Sequence, residues 1–149
     1  MNDRQAAPTS AFDPAGAGWE KVPTVGFGEF TGPLWKRGIG AELRFGFVVA
    51  EHHLNRGGIL HGGMLMTLAD QAMAMTAREV THAKRHATIE LNIQFVGSVR
   101  LGEFVEAHAE VVRATRSVVF MRAKMFVGPR TVVSTNGIWK ILEEGDPSV

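Results

Sequence analysis

The chain has no cysteine and no tyrosine among its 149 residues. Without cysteine there is no disulfide framework, no thiolate nucleophile and no cysteine metal site, and without tyrosine there is no phenolic acid or phenolic oxyanion donor. An excess of one charge is missing too. Sixteen Lys and Arg stand against fifteen Asp and Glu, a net +1, so the overall balance asks for neither nucleic acid nor an acidic membrane surface as partner. No stretch approaches the roughly 20 apolar residues of a membrane span. The N-terminus, with Asp3 and Arg4 ahead of small polar residues, carries no secretory signal, and a cytoplasmic location is the expectation. The chemistry is left to Asp, Glu, His, Ser and Thr.

The length suits one domain. Residues 1–18 hold Pro8, Pro14, Gly16 and Gly18 among small polar residues and read as a flexible tail, leaving 19–149 as the single domain. Residues 19–40 are aromatic but broken by Pro23, Gly26, Gly28, Gly32, Pro33 and Gly38, which predicts loops packed on the domain and no regular element. A strand follows at 41–50, then a loop with a Gly57-Gly58 turn. Residues 62–77 carry one charged group, Asp70, and Leu65, Leu68, Ala69, Ala72 and Met73 recur at helical spacing. Methionines on the other faces predict a helix enclosed on all sides. Residues 88–95 alternate Ile89, Leu91, Ile93 and Phe95 with Thr88, Glu90, Asn92 and Gln94, and strands are also predicted at 104–113, 117–127 and 131–142. Their short connections predict an antiparallel meander. One apolar helix and a run of long strands give an α+β class, a curved antiparallel sheet wrapped around one central helix.

Asp70 lies in the middle of that helix, with no basic residue within two turns. A buried carboxylate costs several kcal/mol unless it is paired, hydrogen-bonded or facing a cleft, so Asp70 is either a satisfied core residue or a functional one. Gly62 and Gly63 open the same helix, where the first N–H groups lack intrahelical acceptors and the dipole is positive. Such a terminus can hold an oxyanion, although a tight turn would read the same. The two features are eight residues apart, roughly 12 Å along a helix. If both act on one carbonyl, they come most simply from two helices lying antiparallel across a twofold axis, which predicts a homodimer with two equivalent sites.

The combined spacing Asn55-x5-His61-Gly62-Gly63-x6-Asp70-x17-Thr88 resembles the hotdog-fold acyl-CoA thioesterases, in particular the PaaI-like, phenylacetate-pathway branch of the 4-hydroxybenzoyl-CoA thioesterase superfamily. The resemblance covers about residues 40–142. In a related branch the acid is Glu and a hydroxyl residue follows one turn later; here the acid is Asp and that position is Ala74. The resemblance implies a hotdog fold and hydrolysis of an acyl- or aryl-acyl-CoA thioester. It implies that Asp70 activates water or attacks directly, and that the Gly62 N–H polarises the carbonyl. Asn55 and His61 would lie beside the carbonyl and thiolate, with Thr88 helping Asp70 to orient water. It also implies a tetramer of paired dimers, and no cofactor, coenzyme A being part of the substrate.

His61 as a plain helix cap and Thr88 as a plain strand residue remain the bland alternatives. His82 and His86 stand at i, i+4 without a third ligand, so no metal site is expected, and no serine occupies a G-x-S-x-G elbow. Of the basic residues that could meet the coenzyme A phosphates, Arg85, Arg100 and Arg116 flank strand ends or turns and are the candidates. Met64, Met73 and Phe95 are the candidate acyl-pocket residues. Two rival readings stay open. A hotdog dehydratase or hydratase would want a catalytic His paired with an acid, and a non-catalytic acyl-CoA-binding or regulatory protein would keep the fold without turnover.

Overall fold

A computed structural model describes residues 12–82 and 85–142. Its elements in chain order are β1 (Glu20–Val22), α1 (Phe27–Phe30), β2 (Leu34–Arg37), β3 (Arg44–Val48), α2 (Gly62–Thr81), β4 (His86–Phe95), β5 (Phe104–Ala114), β6 (Val118–Val127) and β7 (Arg130–Ile141). The strands form one antiparallel sheet in the order β1-β2-β3-β5-β6-β7-β4. The sheet curves around α2, the arrangement the resemblance implies.

The helix forms where the apolar spacing predicts. Leu65, Leu68, Ala69, Ala72, Met73, Thr76 and Ala77 are its buried face, and they meet the inward residues of the strands: Val105, Ala107 and Ala109 on β5, Val119, Met121, Ala123 and Met125 on β6, and Trp139 on β7. Each large side chain enclosed this way contributes about 1.5–3 kcal/mol. The helix ends at His82, whose left-handed φ of 54° stops it. Gly137 on β7 is set by close approach, because a Cβ there would lie 2.6 Å from both the Glu90 carbonyl oxygen and the Trp139 ring.

Three expectations are corrected. Residues 19–40 do hold regular structure: β1 and β2 extend the sheet beyond β3, with Glu20 opposite Lys36 and Trp35 opposite Gly46. These strands are three and four residues long, too short to leave a periodic signal, and they are ordered by pairing and by aromatic contacts. Trp19 packs edge-on against Phe104 at 4.8 Å and the Arg37 guanidinium sits 4.7 Å over Trp19. Second, the meander runs through β5, β6 and β7, but β4 pairs with β7 at the far edge. The chain from β4 to β5 passes the start of α2, where the Leu60 N–H donates to the Val99 carbonyl at 2.8 Å. Third, the single chain encloses α2 on one face only; His61, Gly63 and Met66 are exposed and Asp70 is half-buried.

Of the segment read as a tail, residues 1–11 lie outside the described residues. Residues 14–18 form a hydrogen-bonded turn, and Phe12 stacks on Phe104 at 4.6 Å.

Candidate active site

The start of α2 is built by the loop before it. The Asn55 side-chain oxygen accepts the Gly57 N–H at 2.8 Å and the Ile59 N–H at 3.4 Å, which closes the Gly57-Gly58 turn. Asn55 thus shapes the loop that delivers His61. His61 caps the helix, its Nδ1 accepting the Gly63 N–H at 2.8 Å, and its carbonyl accepts from Met64 at 3.0 Å. The N–H of Gly62, the first helical residue, has no acceptor among the described residues. The helix dipole adds partial positive charge at that N–H. Phe95 lies over it, and a Cβ on residue 62 would come within 3.1 Å of the ring's Cζ. A side chain there would press on the ring, which would have to give by a few tenths of an ångström.

Asp70 lies two turns further along α2. The Thr88 hydroxyl donates to its Oδ1 at 2.6 Å, a short charge-assisted bond. This contact depends on an irregularity in β4. Thr88 pairs with Trp139 and Glu90 with Ile138, so Ile89 is an extra residue, 58% exposed, in a β-bulge. The bulge re-aims the strand and turns Thr88 toward the helix. Strict alternation predicts Thr88 on the outward face with Glu90, Asn92 and Gln94.

The single chain therefore brings Thr88 to Asp70 and Phe95 to Gly62, and it keeps these two pairs about 12 Å apart along α2. The three candidate arginines are not brought together either. Arg85 and Arg116 are exposed at one end of the sheet, where Leu142 donates to the Arg85 carbonyl and Ile141 to the carbonyl of Ser117. Arg100 lies at the other end, beside Val99 and the helix start, its N–H bonded to Glu103 Oε2 at 2.7 Å. Of the apolar candidates, Phe95 is 51% exposed, Met64 is partly buried and Met73 is sealed in the core.

Sequence reasoning gives little weight to His53, adjacent to His52 in a loop, and to His86. His53 is buried and hydrogen-bonded on both sides of its ring; nothing in its loop sequence marks it out from His52. His86 Nε2 faces the Thr81 hydroxyl at 3.1 Å. Burial, and then the charge of Arg78, lowers its pKa. No helix among the described residues is long and apolar enough to cross a membrane.

Comparison with known proteins adds the family. The thioesterase superfamily model matches residues 57–134, the stretch holding Gly62, Asp70 and Thr88. A Pseudomonas aeruginosa protein carrying the name "putative esterase" is 35% identical over 97 residues, covering 62% of this chain and 70% of that protein. Human acyl-coenzyme A thioesterase 13 is 29% identical over 72 residues, 48% of this chain and 51% of that one. Among solved structures, a single-substitution variant of the phenylacetic acid degradation protein PaaI from Thermus thermophilus superimposes with a TM-score of 0.70 at 25% identity, over 78% of this chain and 98% of that one. Zebrafish thioesterase superfamily member 2 gives 0.72 at 22% identity over 80% and 88%, a likeness of fold. With the matched model spanning half the chain and the helix wrapped by its sheet, this chain belongs to the thioesterase superfamily, has the hotdog fold, and has thioester hydrolysis as its general activity.

Proposed function

We propose that the protein hydrolyses an acyl- or aryl-acyl-CoA thioester to free coenzyme A and a carboxylate, at sites shared between two subunits of a homodimer. The observation that carries this is the presence on one helix of a Thr88-oriented Asp70 and a Gly62 N–H that has no acceptor among the described residues. In the reaction the Asp70 carboxylate takes a proton from water, the water oxygen bonds to the carbonyl carbon, and the C–S bond breaks as the thiolate leaves and is protonated. Negative charge grows on the carbonyl oxygen in the tetrahedral transition state, where a preorganised N–H is worth on the order of 10² to 10³ in rate. Direct attack by Asp70 is the variant of the same step, and single-turnover hydrolysis in ¹⁸O-water separates them by labelling Asp70 or the product first. The reaction requires no metal or redox cofactor.

The dimer is supported by the free edge of the sheet. β4 is an edge strand of ten residues that exposes Ile89 and Phe95, with exposed Val96 directly after it, a surface that invites strand pairing. Antiparallel pairing of two β4 strands about their midpoint sets residue i opposite the partner's residue 181 − i, because 86 and 95 bound the strand. Thr88 then lies opposite the partner's Ile93, two residues from the partner's Phe95, whose ring covers its own Gly62, and the gap of about 12 Å within one helix is bridged between two. The same symmetry carries Arg85 to the end that holds the partner's Arg100, where the phosphates of coenzyme A would lie. His61 and Asn55 act by presenting Gly62. A tetramer of two such dimers is part of the proposal, to be read from the solution mass.

The test is thiol release from short, medium, long and arylacetyl CoA thioesters, with Asp70→Asn as the paired control. Turnover that Asp70→Asn abolishes in a folded protein supports the reading. Binding of CoA thioesters without cleavage moves the non-catalytic regulatory reading ahead of it.

A further inference from the structure

One buried histidine ties the N-terminal segment to the loop that sets the start of α2. His53 is 5% exposed. Its Nδ1 accepts the Ala50 N–H at 3.0 Å, and its Nε2–H donates to the Thr31 carbonyl at 2.8 Å. An imidazole that accepts on one nitrogen and donates from the other is neutral, and its tautomer is set by those partners. The ring stands edge-on to Phe47 at 5.2 Å, and Gly32 lies against its Nε2 side, where a Cβ would be 3.7 Å away. The backbone carbonyl of the same residue accepts the His61 N–H at 2.8 Å. His61 is the residue whose ring caps Gly63, next to the Gly62 N–H that has no acceptor among the described residues.

We propose that His53 is a positioning residue for the hydrolytic site: as a neutral imidazole it pins the Thr31-Gly32 segment and the loop from Ala50 to His61 together, and so holds the Gly62 N–H on the substrate carbonyl. This rests on the reading of Gly62 as the carbonyl donor. Protonation puts a hydrogen on Nδ1, so that two donors meet at the Ala50 N–H and one bond of the pin is lost. Burial is the largest influence on this group and lowers its pKa below 6.5; the Thr31 carbonyl works the other way, and His52, its ring 4.0 Å off, lowers it further. His52 is the titratable group against the ring; Thr31 and Gly32 of the N-terminal segment, Phe47 of β3 and Ala50 bring none. The neutral form is the one the fold prefers. The stabilisation is therefore fully present above the unfolded value of 6.5 and is lost as pH falls through the lowered folded value.

The experiment compares the full chain with His53→Phe and His53→Asn, reading kcat, KM, the pH profile and hydrogen exchange at residues 24–33 and 50–62. Phenylalanine keeps the packing on Phe47 and loses both ring bonds. Its kcat should fall about tenfold with KM within about twofold, the pattern of a displaced transition-state donor, and both segments should exchange faster. Asparagine keeps an oxygen for the Ala50 N–H, so it should hold kcat within about threefold and free the segment at Thr31. It should also lose the part of the acid limb that His53 is expected to contribute below pH 6.5, leaving only the limb of the hydrolytic base. An acid limb in His53→Asn identical to that of wild type, or wild-type kcat and exchange in His53→Phe, overturns the proposal while leaving Asp70-dependent hydrolysis intact. Wild-type turnover that survives Asp70→Asn refutes the site itself, and the role of His53 with it.

Discussion

Removing the Thr88 hydroxyl is the sharpest perturbation of the site, because Thr88→Val keeps the shape and the β-branching that suit a strand. The hydroxyl donates to Asp70 Oδ1 at 2.6 Å. A hydrogen bond to a charged group contributes about 1.5–3 kcal/mol. In the single chain Thr88 is exposed and Asp70 half-buried, where solvent competes and the lower figure applies. Under the cover of a second subunit the upper figure applies. At about 1.4 kcal/mol per factor of ten, the loss lies between about tenfold and about a hundredfold.

The loss should fall on kcat, because the bond orients the carboxylate toward its water and does not hold the acyl group. KM should stay within about twofold. Initial rates of thiol release over a substrate series, for wild type, Thr88→Val and Thr88→Ser, give the split directly. Serine retains the donor and should recover most of the rate. A melting temperature unchanged within about 2 °C would show that the strand is intact. A folded Thr88→Val protein with wild-type kcat, alongside an inactive Asp70→Asn, would refute the orienting role and leave Asp70 working alone.

Two further outcomes are expected. Asp70→Ala and Gly62→Val subunits, each inactive alone, should regain about one quarter of wild-type activity when mixed in equal amounts, since half of randomly formed dimers are mixed and each has one intact shared site; verified mixed dimers with no recovery would place both groups of each site in one chain. Thr76→Val should stabilise the protein by about 1 kcal/mol, raising the melting temperature by about 2–4 °C, because the Thr76 hydroxyl is buried without a partner among the described residues; a lower melting temperature would mean that the hydroxyl has a partner in solution.

The legible part of the fold is the part whose stability is written along the chain. The buried face of α2, from Leu65 to Ala77, is the helical repeat itself, and β5, β6 and β7 are joined by connections short enough to force adjacency. The edges of the sheet are a different matter. β1 and β2 carry no pattern, since their order comes from pairing to β3 and from Trp19 resting on Phe104 and beneath Arg37. The place of β4 was illegible for a related reason: its alternation exposes one face and buries the other whichever neighbour it has, and only the path past the start of α2 sends it to β7. The arginines show the same limit. Three residues near strand ends look equivalent in sequence, and the sheet separates Arg100 from Arg85 and Arg116 by its full length.

Thr88 is where two readings of one strand disagree. Period two places it outward with Glu90, Asn92 and Gln94, while the spacing to Asp70 places it in the site. Both hold, on either side of Ile89. Residues 90–95 keep the alternation, with Leu91 and Ile93 packed on the core, and the bulge reverses the faces before them, so Thr88 points inward beside Trp139. A strand that followed its pattern without interruption would leave Asp70 with no hydroxyl partner. The inserted residue costs one ladder position and leaves an exposed isoleucine, a local inconsistency of the kind concentrated at functional positions. Deleting Ile89 would close the bulge and leave Thr88 opposite Trp139, still facing Asp70.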